Sequence, residues 1–165
     1  MYLQATTMAV WAPKGQTPVV RVDPDRSKIC FYGTLDLRAG RDIVTKAAVM
    51  NAEATAQHLL QILDAIPEQP ILLFWDRAPW HSGPPIRDVL AANPRLEIMR
   101  FPVAAPELNP QEHVWKAVRR AVSHNHNLRH LSDLADQIEK HLTTETFESS
   151  FLDRCGPNAI YPMSN

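Results

Sequence analysis

Glycine is scarce in this chain: five residues in 165, against fourteen prolines. That skew favours turns fixed by the proline ring, and no low-complexity linker or internal repeat breaks the sequence. Cysteine is scarcer still. Cys30 and Cys155 stand far apart, form no CxxC motif and exclude a disulfide framework, so a reducing cytoplasm is the simplest compartment. No apolar run approaches membrane-spanning length, and Met1 opens no basic-then-apolar leader, so a soluble chain with no membrane partner is expected. Excess positive charge is also missing. The net charge is −1 and the sequence pI about 6.6, whereas a dedicated nucleic-acid binder is usually more basic. Any DNA contact must come from a local patch. What remains is ordinary globular material, 45% apolar and 21% charged, in a length that suits one domain.

The first half reads as extended. Val19–Val22 runs into the turn signal Asp23-Pro24-Asp25. Lys28–Leu35 is rich in β-formers, Asp36–Gly40 is a second turn, and Asp42–Val49 can return as a strand. Together they predict an antiparallel meander. The pattern then changes. Asn51 is a good N-cap, and Ala56, Leu59, Leu60 and Leu63 recur at helical spacing up to Pro67. The unbroken apolar run Ile71–Trp75 suits a strand buried on both faces. A short helix over Ser82–Ala92, a strand over Leu96–Phe101, a helix over Asn109–Ser123 and a last helix through Leu131, Leu134, Ala135, Ile138 and Leu142 follow. This order predicts an α/β fold, a mixed sheet covered by helices. Residues 1–147 are expected to form the domain, and 148–165 an irregular tail.

Two acids stand where chemistry is feasible. Asp76 directly follows the apolar strand, and ligands of open α/β sheets bind beyond the carboxyl ends of strands. The same residue can simply cap the turn into Arg77-Ala78-Pro79. Glu112 falls at the third helical position after Asn109 and Pro110, which resembles a capping box and needs no metal. By position alone, both readings of each acid stand.

Two segments carry a resemblance. Residues 71–81, ILLFWDRAPWH, resemble the apolar strand, Asp-Asn-Ala and His of DDE transposases. Residues 101–115, FPVAAPELNPQEHVW, resemble the Pro-Glu-Leu-Asn-Pro-x-Glu-x-x-Trp segment of the same group, the mariner-like bacterial insertion-sequence transposases. The 35 residues from Arg77 to Gln111 are close to the family's spacing, and Val10–Gln16 resembles its Trp-Ala-x-x-Gly stretch. The resemblance implies a ribonuclease-H-like fold. It also implies metal-dependent DNA strand cleavage and strand transfer, with DNA ends and target as partners, in a homo-oligomer or beside a full-length transposase. Asp76 and Glu112 would be the second and third catalytic acids and would ligate Mg2+ or Mn2+, in a two-ion site in the complete enzyme. Carboxylates suit such hard cations, which can stabilise both the attacking and the leaving oxygens of an in-line displacement.

The chain also departs from the pattern. The family's first acid ends its first strand, ahead of the Trp-containing stretch, yet residues 1–22 contain no acid. Asp23 and Asp25 lie in the turn beyond Trp11, and the neighbours of Asp36 do not match. The expectation is a truncated remnant, lacking the first acid, the start of the central first strand and the helix-turn-helix region, and inactive alone. The alternative is a non-catalytic module that binds DNA or a transposase. Arg77 replaces the family's Asn and could hold a phosphate or pair with Asp76. His81 stands where the family often has His, and could touch DNA, orient a site water or stabilise the turn. Lys116, Arg119 and Arg120 could follow a DNA backbone, or be a solvated helix face. His124, His126 and His130 read better as a polar interhelix loop than as a zinc site.

Overall fold

A computed structural model describes residues 11–16, 28–103, 105–124, 126 and 128–155, with 154 and 155 by backbone alone. The expected strand at Val19–Val22 and the tail of a first strand at residues 2–10 lie outside the described residues.

Strands β1 (Cys30–Asp36) and β2 (Arg41–Ala47) form an antiparallel hairpin in the register Cys30↔Ala47 to Asp36↔Arg41. Its turn is closed by Asp36. The Asp36 carboxylate accepts the Arg38 and Ala39 N–H groups at 2.8 and 3.1 Å, and Gly40 takes φ +66°, a conformation glycine adopts without strain. Helix α1 (Ala52–Ala65) starts where Asn51 Oδ1 accepts from Ala54 N at 2.8 Å. Strand β3 (Ile71–Trp75) leads through a loop to α2 (Pro84–Ala92) and then to β4 (Leu96–Arg100), which pairs with β3 in parallel. Helix α3 (Pro110–Val118) passes into a wider π-turn at Arg119–Ser123, and α4 (Leu131–Thr144) follows.

The expected α/β architecture is present; among the described residues its strands form two two-stranded sheets, β1–β2 antiparallel and β3–β4 parallel, and the strand expected between them lies outside those residues. Three details differ from expectation. Strand β3 is unevenly buried: helices α1 and α2 cover the side carrying Leu73, Trp75 and Leu96, while on the other side Phe74 packs on Phe101 and Phe151 but Leu72 stays 49% exposed, as does Met99 of β4 at 50%. The tail after residue 147 is not wholly irregular. Helix α5 (Phe151–Cys155) forms there, anchored by Phe151, whose ring lies 5.0 Å from Phe74 and 6.2 Å from Phe101 between centroids. The helical phase of α1 also shifts slightly. Leu60 faces solvent, and Ile62 is buried with Ala56, Leu59 and Leu63.

Two apolar cores result. In the first, Phe31 and Val44 of the hairpin pack with Val114 and Val118 of α3 and Leu134, Ile138 and Leu142 of α4. In the second, α1 and α2 close over β3 and β4 around Leu59, Ile62, Trp75, Ile86 and Leu96. Ile43 of the hairpin reaches the second core and ties the two together. Each fully buried Leu or Ile is worth roughly 1.5–3 kcal/mol relative to its exposed state.

Candidate functional site

Asp76 and Glu112 come from different cores. Asp76 ends β3, the strand of the second core, and Glu112 lies in the first turn of α3, the helix of the first. They line one open cleft of about 230 Å³ with Arg77, Phe101, Pro106 and Asn109. Its lining is largely apolar, from Phe101, Pro102 and Pro106, with the two acids among it.

Asp76 is half exposed and performs its turn role as well: its Oδ1 accepts from Ala78 N at 2.9 Å. Among the described residues, its Oδ2 makes no hydrogen bond or ion pair. His81 Nδ1 lies 2.8 Å from Asp76 Oδ1, a close polar contact that becomes an ion pair only when the imidazole is protonated. The imidazole is held against Trp75, with centroids 4.4 Å apart. Burial pushes His81 below its ordinary pKa, and Asp76 pulls it only part of the way back. These are the contacts of a residue that props the turn beneath Asp76.

Glu112 does not complete a capping box. Asn109 Oδ1 caps the helix by accepting from Gln111 N at 3.1 Å, and the Asn109 N–H goes instead to the Pro106 carbonyl at 3.1 Å. The box requires that N–H for the glutamate, so the Glu112 carboxylate is left facing the cleft. Arg77 is engaged elsewhere: its Nε donates to the Phe101 carbonyl at 3.2 Å, which braces the cleft wall. Among the described residues it makes no ion pair with Asp76.

Asp36 Oδ1 closes the hairpin turn, and Asp36 does not line the cleft; Asp23 and Asp25 lie outside the described residues. Among the described residues, no group of three or more His, Cys, Asp or Glu side chains could hold a metal ion. In the interhelix loop, His126 Nδ1 accepts from Leu128 N at 3.2 Å. Lys116 and Arg120 are exposed and Arg119 half-buried, and none is within ion-pair distance of a carboxylate among the described residues.

The chemistry of the donor set fits a divalent ion. Two carboxylates at one solvent-open cleft supply hard oxygens, and a small hard cation that keeps several waters needs only one or two of them. Asp76 and Glu112 are the residues that would hold it.

A polar pair beneath α3 was not visible in the sequence reading. Gln111 Nε2 donates to Asp42 Oδ2 at 3.0 Å, and both side chains are buried, 9% and 6% exposed. Burial raises the Asp42 carboxyl to about pKa 7, partly offset by the Gln111 bond. The signal was faint but present: Gln111, Val114, Trp115 and Val118 recur at inward-facing helical spacing, so the glutamine belonged to the buried face.

Comparison with known proteins gives the family and the fold. The family model described as DDE superfamily endonuclease matches residues 2–135. Among solved structures, the Mos1 transposase paired-end complex with left transposon end is similar at TM-score 0.67 and 15% identity, over 96% of this chain and 50% of that one. The Mos1 mariner paired-end complex with Mn gives TM-score 0.59 at 15% identity, over 88% and 46%. The chain thus spans about half the length of these Mos1 chains, and the likeness shows a shared ribonuclease-H-like fold. An uncharacterized protein of Sinorhizobium fredii, y4pE/y4sA, is 28% identical over 90 residues, 54% of this chain and 64% of the relative. The chain belongs to the DDE superfamily endonucleases.

Proposed function

We propose that this chain is a transposase catalytic domain for metal-dependent DNA strand cleavage and strand transfer, with Asp76 and Glu112 as paired metal ligands. One observation carries the reading: acids brought from separate cores line the same cleft, and neither is consumed by its alternative structural role. Family membership and the Mos1 likeness suggest the reaction class, and those Mos1 complexes, with a transposon end and with Mn, make DNA and a divalent cation the partners to expect.

Bound there, Mg2+ or Mn2+ would supply Lewis acidity to a phosphodiester. The chain's own residues do the remaining work. Asp76 and Glu112 would hold the ion, His81 packs against the Asp76 turn, and Arg77 braces the Phe101 wall. The exposed Lys116 and Arg120, with Arg119 beside them, offer phosphate contacts on the helix that carries Glu112. Assembly as a homo-oligomer on DNA fits the paired-end Mos1 complexes.

Thermal unfolding in a Mn2+ titration tests the proposal. A ligand that binds only the folded chain stabilises it by about 1.4 kcal/mol at ten times its Kd, a rise of roughly 3–5 °C for a chain of this size. The wild type should show that rise, and Asp76→Asn and Glu112→Gln should each remove most of it. An equal rise in all three proteins, or none in the wild type, contradicts the reading and leaves the non-catalytic module as the account of this fold.

A further inference from the structure

The Asp42–Gln111 pair is an odd way to pack a helix on a hairpin. Both side chains are buried, yet among the described residues Asp42 Oδ1 and Gln111 Oε1 have no hydrogen-bond partner. Two apolar residues of similar size would hold α3 to the sheet without that cost. The hairpin is also shaped around the pair. A Cβ on Gly33 of β1 would come within 2.9 Å of both Asp42 Oδ2 and Trp115 Cη2, and closer still to Gln111 Nε2. Gly33 is therefore the floor of a slot that admits the Gln111 amide and the Trp115 indole side by side.

Gln111 and Glu112 are neighbours in the first turn of α3, so their side chains diverge by about 100° around the helix axis. Fixing one fixes the other. With the Gln111 amide tied down to Asp42 in the slot, the helix is turned so that Glu112 projects into the cleft. The cap at Asn109 sets where the helix begins, but a cap alone does not set its rotation against the sheet. We infer that Asp42 and Gln111, seated over Gly33, are positioning residues that set the rotation of α3 and so bring Glu112 into register with Asp76. This rests on the metal-site reading for its purpose, but not for its geometry.

The test compares three proteins: wild type, Asp42→Asn, and the double variant Asp42→Leu/Gln111→Leu. The conservative change keeps an oxygen to accept the Gln111 amide, and the double change replaces the polar pair with an apolar one that keeps the helix packed. Mn2+ affinity is read by titration of the free-ion electron paramagnetic resonance signal, and the melting temperature is read without metal. The inference expects Asp42→Asn to bind Mn2+ within about twofold of wild type. The double variant should lose tenfold or more while melting at or above the wild-type temperature. A second readout needs no metal. Nitroxide labels on Asp76→Cys and Glu112→Cys, with Cys30 and Cys155 changed to Ser, should give one narrow distance in the parent and a shifted or broadened one once the Leu pair is added. An unchanged label distance overturns the inference whatever the Mn2+ result, as does wild-type Mn2+ affinity in the double variant. Should the wild type bind no Mn2+, the metal-site reading fails, and the label distance alone decides whether the pair positions α3.

Discussion

His58 and Asp42 are both buried ionisable side chains, and burial drives their titrations in opposite directions. His58 lies between two strand threonines, with Nε2 2.8 Å from Thr34 Oγ1 and Nδ1 2.7 Å from Thr45 Oγ1. The Thr45 hydroxyl donates to Gln61 Oε1, so it must accept from His58. The imidazole is therefore neutral with its proton on Nδ1, and Thr34 donates to Nε2. Burial, with a smaller contribution from His81, takes its pKa down to about 4. The folded chain resists protonating His58, so this group's contribution is complete above about pH 6.5 and is lost as pH falls towards 4. Asp42 runs the other way. Its carboxyl is raised to about 7, so its contribution is complete below about pH 3.8 and is lost as pH rises through 7. Between pH 4 and 6.5 the two slopes oppose each other. Chemical denaturation of Asp42→Asn across that range should therefore show stability rising with pH more steeply than in wild type. Superimposable profiles would mean that Asp42 is ionised in the folded chain. Neither residue was legible as buried in the sequence. Partners of His58 lie on two strands, Asp42 is held by a glutamine 69 positions away, and a hydrophobic pattern records apolar residues, not the satisfaction of polar ones.

At the scale of elements, the helices and strands were legible because their local signals agree. Asn51 caps α1 and Asn109 with Pro110 starts α3, as their positions implied. Asp76 and Glu112 stood out as candidates for the same reason, since each sits in a short contiguous motif beside a strand end or a helix start, and both line the cleft. Contacts made across the sequence were not. Arg95, which precedes β4, donates to the Leu63 and Ile66 carbonyls at 2.7 Å and to the Gln69 carbonyl at 2.9 Å. It thereby satisfies the exposed carbonyls at the end of α1 and fixes the approach to β3, where no basic residue of the helix itself is available. Hydrogen bonds from a charged group contribute more than neutral ones. Arg95→Met keeps the apolar stem and removes the donors. It should cost about 1–3 kcal/mol, read as a lower denaturant midpoint at unchanged slope. A change within about 0.5 kcal/mol, the range of an ordinary surface substitution, would show that water replaces the guanidinium without loss.

At the scale of the whole molecule, the cleft is a product of two cores meeting. Glu112 is carried by the core of the hairpin, α3 and α4, and Asp76 by the core of β3 and the helices over it, so the site depends on how the two cores are packed together. Ile43 and the contacts of α1 with β2 maintain it from one side. The sequence indicated the order of elements but not this division. Joining both pairs of strands into one sheet was the natural reading, and the strand expected between them falls at residues 2–10, outside the described residues. An ion held by both carboxylates would bridge the cores directly, and that is the central claim. Crystals of the protein soaked in Mn2+ and measured at a wavelength where manganese scatters anomalously test it most directly. The account predicts an anomalous peak within coordination distance of carboxylate oxygens of both Asp76 and Glu112. A peak on one acid without the other, or none in the cleft at a Mn2+ concentration that fills exposed carboxylates elsewhere, would contradict it.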